Sequence, residues 1–143
     1  MTEVAFWDSS AIVPLCLQQR SSSHARQLIR QYRIAAWWAA PVETRSALAR
    51  ELRNGAISGR GHQEAILKLE KIRQEWVEVF PEESLRSFAE DLPDRFYLRA
   101  ADALQLAAAY TWVMQKPAGR PFISGDKRLL DAAEQMGFRV IAV

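Results

Sequence analysis

The sequence predicts an α/β fold, with a central, mostly parallel sheet of four to five strands covered by helices on both faces. Three observations carry this. Short apolar runs at residues 4–7, 34–40 and 122–124 stop abruptly, at Asp8, Pro41 and Gly125, and such brevity favours buried strands over fragments of helix. Between them lie longer stretches with helical periodicity or dense in Ala and Leu. Strands that alternate with helices are joined by crossovers, and crossovers join parallel strands.

The apolar run at 4–7 is the first strand. Asp8 stands at its carboxyl end, and Ser9 or Ser10 opens a short helix over 11–18 as its N-cap. Pro14 falls near that helix's first turn, where a missing N–H costs little. Ser21, Ser22 and Ser23 form a loop and cap the next helix, in which Ala25, Leu28, Ile29 and Tyr32 share one face and Arg26 and Arg30 the other. The run 34–40 is the second strand. A helix over 42–54 follows, with Gly55 as its C-terminal cap. Val42, Ala49 and Leu52 form its buried stripe, while Glu43, Ala47, Arg50 and Asn54 share another face. After a turn at 58–61, an amphipathic helix over 62–75 buries Ile66, Leu69 and Ile72. Residues 76–80 alternate as a short strand ending at Pro81. A short helix over 82–90, a loop at 91–94 and an Ala- and Leu-rich helix over 98–114 come next. A loop at 116–121 leads to a strand at 122–124, a helix over 127–136 capped by Gly137, and a closing strand over 139–143.

A chain of 143 residues without repeats or low-complexity segments fits one domain over 1–143. The net charge of +2 permits a nucleic-acid partner without demanding one. Cys16 is the only cysteine, which excludes an intramolecular disulfide and a Cys-based zinc site and points to a reducing, cytoplasmic setting. No apolar run approaches the roughly 18 residues of a membrane span. The amino terminus opens on a strand carrying Glu3 and Asp8 rather than on a secretion signal.

Four acids occupy one kind of place. Asp8 and Asp126 follow strands, Glu43 begins the helix after the second strand, and Asp102 sits in the first turn of the Ala-rich helix. Each alone has a plain explanation, because an acid in a helix's first turn gains about 0.3–1 kcal/mol from the dipole and the free N–H groups. Together they point elsewhere. The crevice beyond the carboxyl ends of the strands is where open α/β sheets bind ligands, and three of the four acids fall along that edge. Gathered carboxylates repel, so a fold that gathers them does so around a cation. Oxygen donors alone select Mg2+ or Mn2+, ions that clamp phosphate oxygens and activate water for phosphodiester hydrolysis.

The segments around these acids resemble the four acidic motifs of PIN-domain nucleases. They are Phe6-Trp7-Asp8-Ser9-Ser10-Ala11, Pro41-Val42-Glu43-Thr44-Arg45-Ser46-Ala47-Leu48, Leu98-Arg99-Ala100-Ala101-Asp102-Ala103-Leu104-Gln105-Leu106-Ala107, and Phe122-Ile123-Ser124-Gly125-Asp126-Lys127-Arg128-Leu129. The four motifs fall in the family's order, and the chain's length resembles the VapC-type toxins of bacterial toxin–antitoxin modules. The resemblance implies a PIN-like α/β/α sandwich and an Mg2+-dependent endoribonuclease toxin of a type II toxin–antitoxin system. It implies a homodimer held inactive by a cognate VapB-type antitoxin. Asp8, Glu43, Asp102 and Asp126 would be the catalytic metal carboxylates, with Mn2+ a substitute for Mg2+. Ser10 and Ser124 are the hydroxyl positions of the first and fourth motifs and would orient a carboxylate or a water. Ser124 stands where the family often has Thr. Gln105 stands where the family commonly has His, and Leu129 where some relatives carry a further acid.

Among the cations near the motifs, Arg99 and Lys127 are the first candidates for RNA phosphates, ahead of Arg45, Arg50, Arg53 and Arg128. Each is equally well explained as a solvated surface charge. His24 and His62 are expected to be structural or surface residues, and Trp37 and Trp38 to be strand core and dimer surface. The alternative to an enzyme is a non-catalytic PIN-like module that binds RNA or protein. A phosphotransfer fold with Asp8 as nucleophile is disfavoured, because the second Asp of haloacid-dehalogenase-like phosphatases, two residues on, is Ser10 here.

Overall fold

A computed structural model describes residues 2–143. Its strands are β1 (Glu3–Trp7), β2 (Tyr32–Trp37), β3 (Val77–Val79), β4 (Pro121–Ser124) and β5 (Arg139–Ala142). They stand in the order β3-β2-β1-β4-β5, and every neighbouring pair is parallel. The helices are α1 (Ser9–Cys16), α2 (Ser22–Gln31), α3 (Ala40–Arg53), α4 (Gly59–Arg73), α5 (Glu83–Glu90), α6 (Leu92–Phe96), α7 (Ala100–Trp112) and α8 (Lys127–Met136). From β1 the chain winds one way to β2 and β3, then returns to the other side of β1 for β4 and β5. The winding reverses between β1 and β4, where open α/β sheets form their ligand crevice.

The central parts of β1, β2 and β4 are apolar because both faces are covered there, while the charged Glu3, Arg33, Glu78 and Arg139 lie in outer strands or at strand starts. Ala5, Trp7, Ile34, Ala36 and Ile123 face α1 to α4. Phe6, Ala35, Trp37 and Phe122, the alternate residues, face α5 to α8. Phe6 stacks on Phe122 with 5.5 Å between ring centroids, across the β1–β4 pair. The alanines of α7 at 103 and 107–109 are buried, which lets that helix lie close to the sheet. Among the described residues no helix is long and apolar enough to cross a membrane.

Several boundaries differ from the sequence expectation for physical reasons. Tyr32 belongs to β2 rather than to the preceding helix, because the ladder pairs it with Glu3. The run 34–40 ends as a strand at Trp37, and the chain turns into α3 at Ala40 with Pro41 in the first turn. Trp37 is core, whereas Trp38 is 52% exposed. Gly59–Gly61 is not a turn but the start of α4, capped by Ser58, whose Oγ accepts from the Gly61 N–H at 3.0 Å. The expected loop at 91–94 instead enters α6, where Pro93 tolerates a first turn and Leu92 is fully buried. The largest correction concerns α3. Val42 is 71% exposed and Leu52 also faces solvent, while Ala40, Thr44 and Leu48 form the buried line. Their i, i+4 spacing presents small side chains and one Leu to α1 and α4, so close packing decided the rotation rather than the most apolar residues.

Leu48→Ala should therefore cost about 2–5 kcal/mol, and Val42→Ala less than about 0.5 kcal/mol. Urea unfolding of the two variants checks this, and the reverse order would contradict the rotation of α3.

Candidate active site

Asp8 leaves β1 with an extended backbone and occupies the N-cap position of α1, the place expected of Ser9 or Ser10. Its side chain does not cap the helix. Oδ2 instead accepts hydrogen bonds from the Ser10 hydroxyl and from the Ser124 hydroxyl at 2.7 Å. The same two hydroxyls accept from the turn after β4. The Gly125 N–H reaches Ser10 Oγ at 2.8 Å, and the Asp126 N–H reaches Ser124 Oγ at 2.9 Å. The Asp8 N–H donates to the Ile123 carbonyl at 3.0 Å. The carboxyl ends of β1 and β4 are thus tied through one carboxylate and two serines, all at the reversal of the sheet.

Glu43, in the first turn of α3, is held by a second set of bonds. Its Oε1 accepts from Ser9 Oγ at 2.7 Å and from Gln105 Nε2 at 2.6 Å. The Gln105 amide also donates to Ser9 Oγ at 2.8 Å. Gln105 is buried in α7, so α1, α3 and α7 meet at this carboxylate. Asp102 is the third residue of α7 and is half-buried. Asp126 caps α8, with Oδ1 accepting from the N–H groups of Arg128 at 2.9 Å and Leu129 at 3.3 Å. The dipole explanation therefore holds for Asp126 without removing it from the cleft.

All four acids line one cleft of about 540 Å³, together with Ser9, Ser10, Gln105, Arg50 and Arg99. A side arm of about 310 Å³ runs past Asp102 and Asp126 to Arg99, Lys127 and Arg128. Of the α3 face expected to hold Glu43, Ala47, Arg50 and Asn54, the first three line the cleft and Asn54, at the C-cap of the helix, does not. Arg45 and Arg53 are exposed elsewhere on α3 and line neither space.

Burial raises the proton affinity of Asp8, and the negative charges of Glu43 and Asp126 add to it against the hydroxyls of Ser10 and Ser124. Burial also raises Glu43, opposed by its bonds to Ser9 and Gln105 and reinforced by Asp102. Asp102 is raised by burial and then by Asp126 and Asp8, with Arg99 and Arg128 opposing. The acids feel one another across the cleft, and Arg99 and Arg128 offset only part of that repulsion at Asp102.

Oxygen donors around such a cleft fit a hard divalent cation. Among the described residues, no three His, Cys, Asp or Glu side chains stand as a ready-made coordination cluster. Asp8 Oδ2, Glu43 Oε1 and Asp126 Oδ1 each accept from protein donors. The opposite oxygens of these carboxylates are the ones a cation would draw together. Two cleft residues had weak sequence signals. Ser9 looked like a helix cap, and Gln105 carried no chemistry beyond its place in the third motif. A polar amide amid the Ala and Leu of α7 was the one local clue to a buried hydrogen-bond partner.

The raised acids have a linkage consequence. Between their ordinary and raised values they bind more protons folded than unfolded, so stability falls as pH rises through that interval. The melting temperature of the metal-free chain should fall as pH rises from the ordinary carboxylate range toward neutrality, and Asp102→Asn should lessen that loss. Calorimetry across this range checks the sign, and a pH-independent melting temperature would contradict the clustering.

No family model and no curated protein matches the chain. Solved structures do match it. VapC20 of Mycobacterium tuberculosis, described as a sarcin–ricin loop cleaving toxin, aligns with a TM-score of 0.71 at 16% identity, covering 97% of this chain and 99% of that one. PAE2754 of Pyrobaculum aerophilum gives 0.65 at 19%, covering 98% and 90%. A toxin–antitoxin complex from Klebsiella pneumoniae gives 0.61 at 13%, covering 85% and 86%. At these identities the likeness is one of fold, and the chain has the PIN-like α/β/α fold of the VapC structures.

Proposed function

We propose that this chain is a divalent-metal-dependent endoribonuclease, the toxin of a type II toxin–antitoxin pair. One observation carries the proposal: Asp8, Glu43, Asp102 and Asp126, from four separate segments, line a single cleft at the reversal of the sheet. The fold likeness to a toxin described as cleaving the sarcin–ricin loop supports RNA as the substrate class. The likeness to a toxin–antitoxin complex supports a VapB-type antitoxin as partner. A homodimer belongs to the same reading, with Trp38 and Phe80 as exposed apolar surface for it.

Asp8, Glu43, Asp102 and Asp126 would hold Mg2+, or Mn2+ in its place, and the ion would polarise a phosphoryl oxygen and lower the pKa of a water. The chain's own residues set the geometry. Ser10 and Ser124 occupy Oδ2 of Asp8 and so fix the plane of that carboxylate. Ser9 and Gln105 do the same for Glu43 through its Oε1. Such supporting hydrogen bonds orient ligands and are costly to remove. Arg99 and Lys127, at the side arm, would bind phosphates flanking the one attacked. A non-catalytic module that binds RNA or protein is the second reading. It is favoured by the absence, among the described residues, of a preassembled coordination cluster.

The purified chain should cleave an RNA panel that includes a sarcin–ricin loop fragment, lose this with EDTA and regain it with added Mg2+. Asp102→Asn should lower kcat by more than about 100-fold. Gel assays of these reactions decide between the readings, since RNA binding without metal-dependent cleavage favours the non-catalytic one.

A further inference from the structure

Tyr97 follows α6 with φ 56°, in the left-handed region, a backbone that L side chains adopt at a cost. Its side chain is 87% exposed, more than any other large apolar side chain among the described residues. Folding therefore gains little from this ring and would be served by glycine here. An unfavourable backbone at an exposed aromatic points to a use for the ring outside the fold.

The surroundings of Tyr97 suggest the use. The Arg95 guanidinium lies 4.8 Å from the centroid of the Phe96 ring, so Phe96 is already stacked while Tyr97 is open. Tyr97, Phe96, Arg95 and Arg128 line a hollow of about 650 Å³, together with Asp131, Ala132 and Gln135. Arg128 also lines the side arm that holds Arg99, Lys127, Asp102 and Asp126. A basic path therefore runs from the acids to an open aromatic ring. Bases stack on such rings without regard to sequence, and arginines hold the phosphates between them.

We infer that this hollow is a subsite for one unpaired nucleotide of an RNA substrate, beside the phosphodiester that is cut. Its base stacks on Tyr97, and its phosphate is held by Arg128 and Arg95. The subsite rests on the ribonuclease reading for the cut itself, but not for binding.

Two measurements separate them, using a fluorescein-labelled single-stranded oligoribonucleotide of mixed sequence, about 12 nucleotides long. Anisotropy in EDTA should show Tyr97→Ala weakening binding about tenfold, with Tyr97→Phe binding as the parent does. Arg128→Gln should weaken binding and flatten its salt dependence. In Mg2+, Tyr97→Ala should raise KM about tenfold and change kcat by less than about twofold. Unchanged binding in Tyr97→Ala, or an equal loss in Tyr97→Phe, overturns the subsite. So does a loss that follows a change in oligomeric state seen by light scattering, which would make the hollow a contact between copies. A parent chain that binds but does not cleave removes the ribonuclease reading, and the binding ratio then still decides the subsite.

Discussion

A buried carboxylate costs several kcal/mol unless its charge is met by donors or a cation, and Asp8 is buried where the winding of the sheet reverses. Much of the molecule is arranged around meeting that cost. Two serine hydroxyls donate to Oδ2, and each hydroxyl in turn accepts a backbone N–H from the turn after β4. These bonds join α1 to β4, elements separated by most of the chain. The position of Asp126 depends on them, because its own N–H is one of the donors. Placing the first carboxylate thus also places the last.

Glu43 is the counterpart on the other side of the cleft. Its partners, Ser9 and Gln105, come from α1 and α7, so the hydrogen bonds that orient it also fix the approach of α3 and α7 to α1. This leaves Gln105 Oε1 buried without a hydrogen-bond partner, a cost of about 1–3 kcal/mol. A fold that accepts such a cost, together with acids raised by burial and then by one another, stores instability in one place. Binding a cation there would relieve it, which links the site's chemistry to the stability of the whole chain.

The alternation of strands and helices was legible because short apolar runs with abrupt stops leave few other folds. The acids were legible because the ends of parallel strands are where such sheets bind ligands, and Asp8 and Asp126 follow the two strands at the reversal. What the sequence hid was rotation and pairing. On α3, Val42 and Leu52 are the obvious apolar residues, yet Thr44 and Leu48 are buried, since packing against α1 rewards small side chains in register more than hydrophobicity alone. Ser9 and Gln105 are separated by 96 positions, and nothing local announces that they meet. Tyr97 was hidden for the opposite reason, because its backbone conformation contradicts the propensity of its side chain.

The central claim is that the four carboxylates serve one cation site. Isothermal titration of Mg2+ and Mn2+ into the chain and into Asp8→Asn, Glu43→Gln, Asp102→Asn and Asp126→Asn tests it most directly. Each substitution should weaken binding by about tenfold or more, with the folded state intact by circular dichroism. Parent-like affinity in any two of the four variants would contradict a shared site.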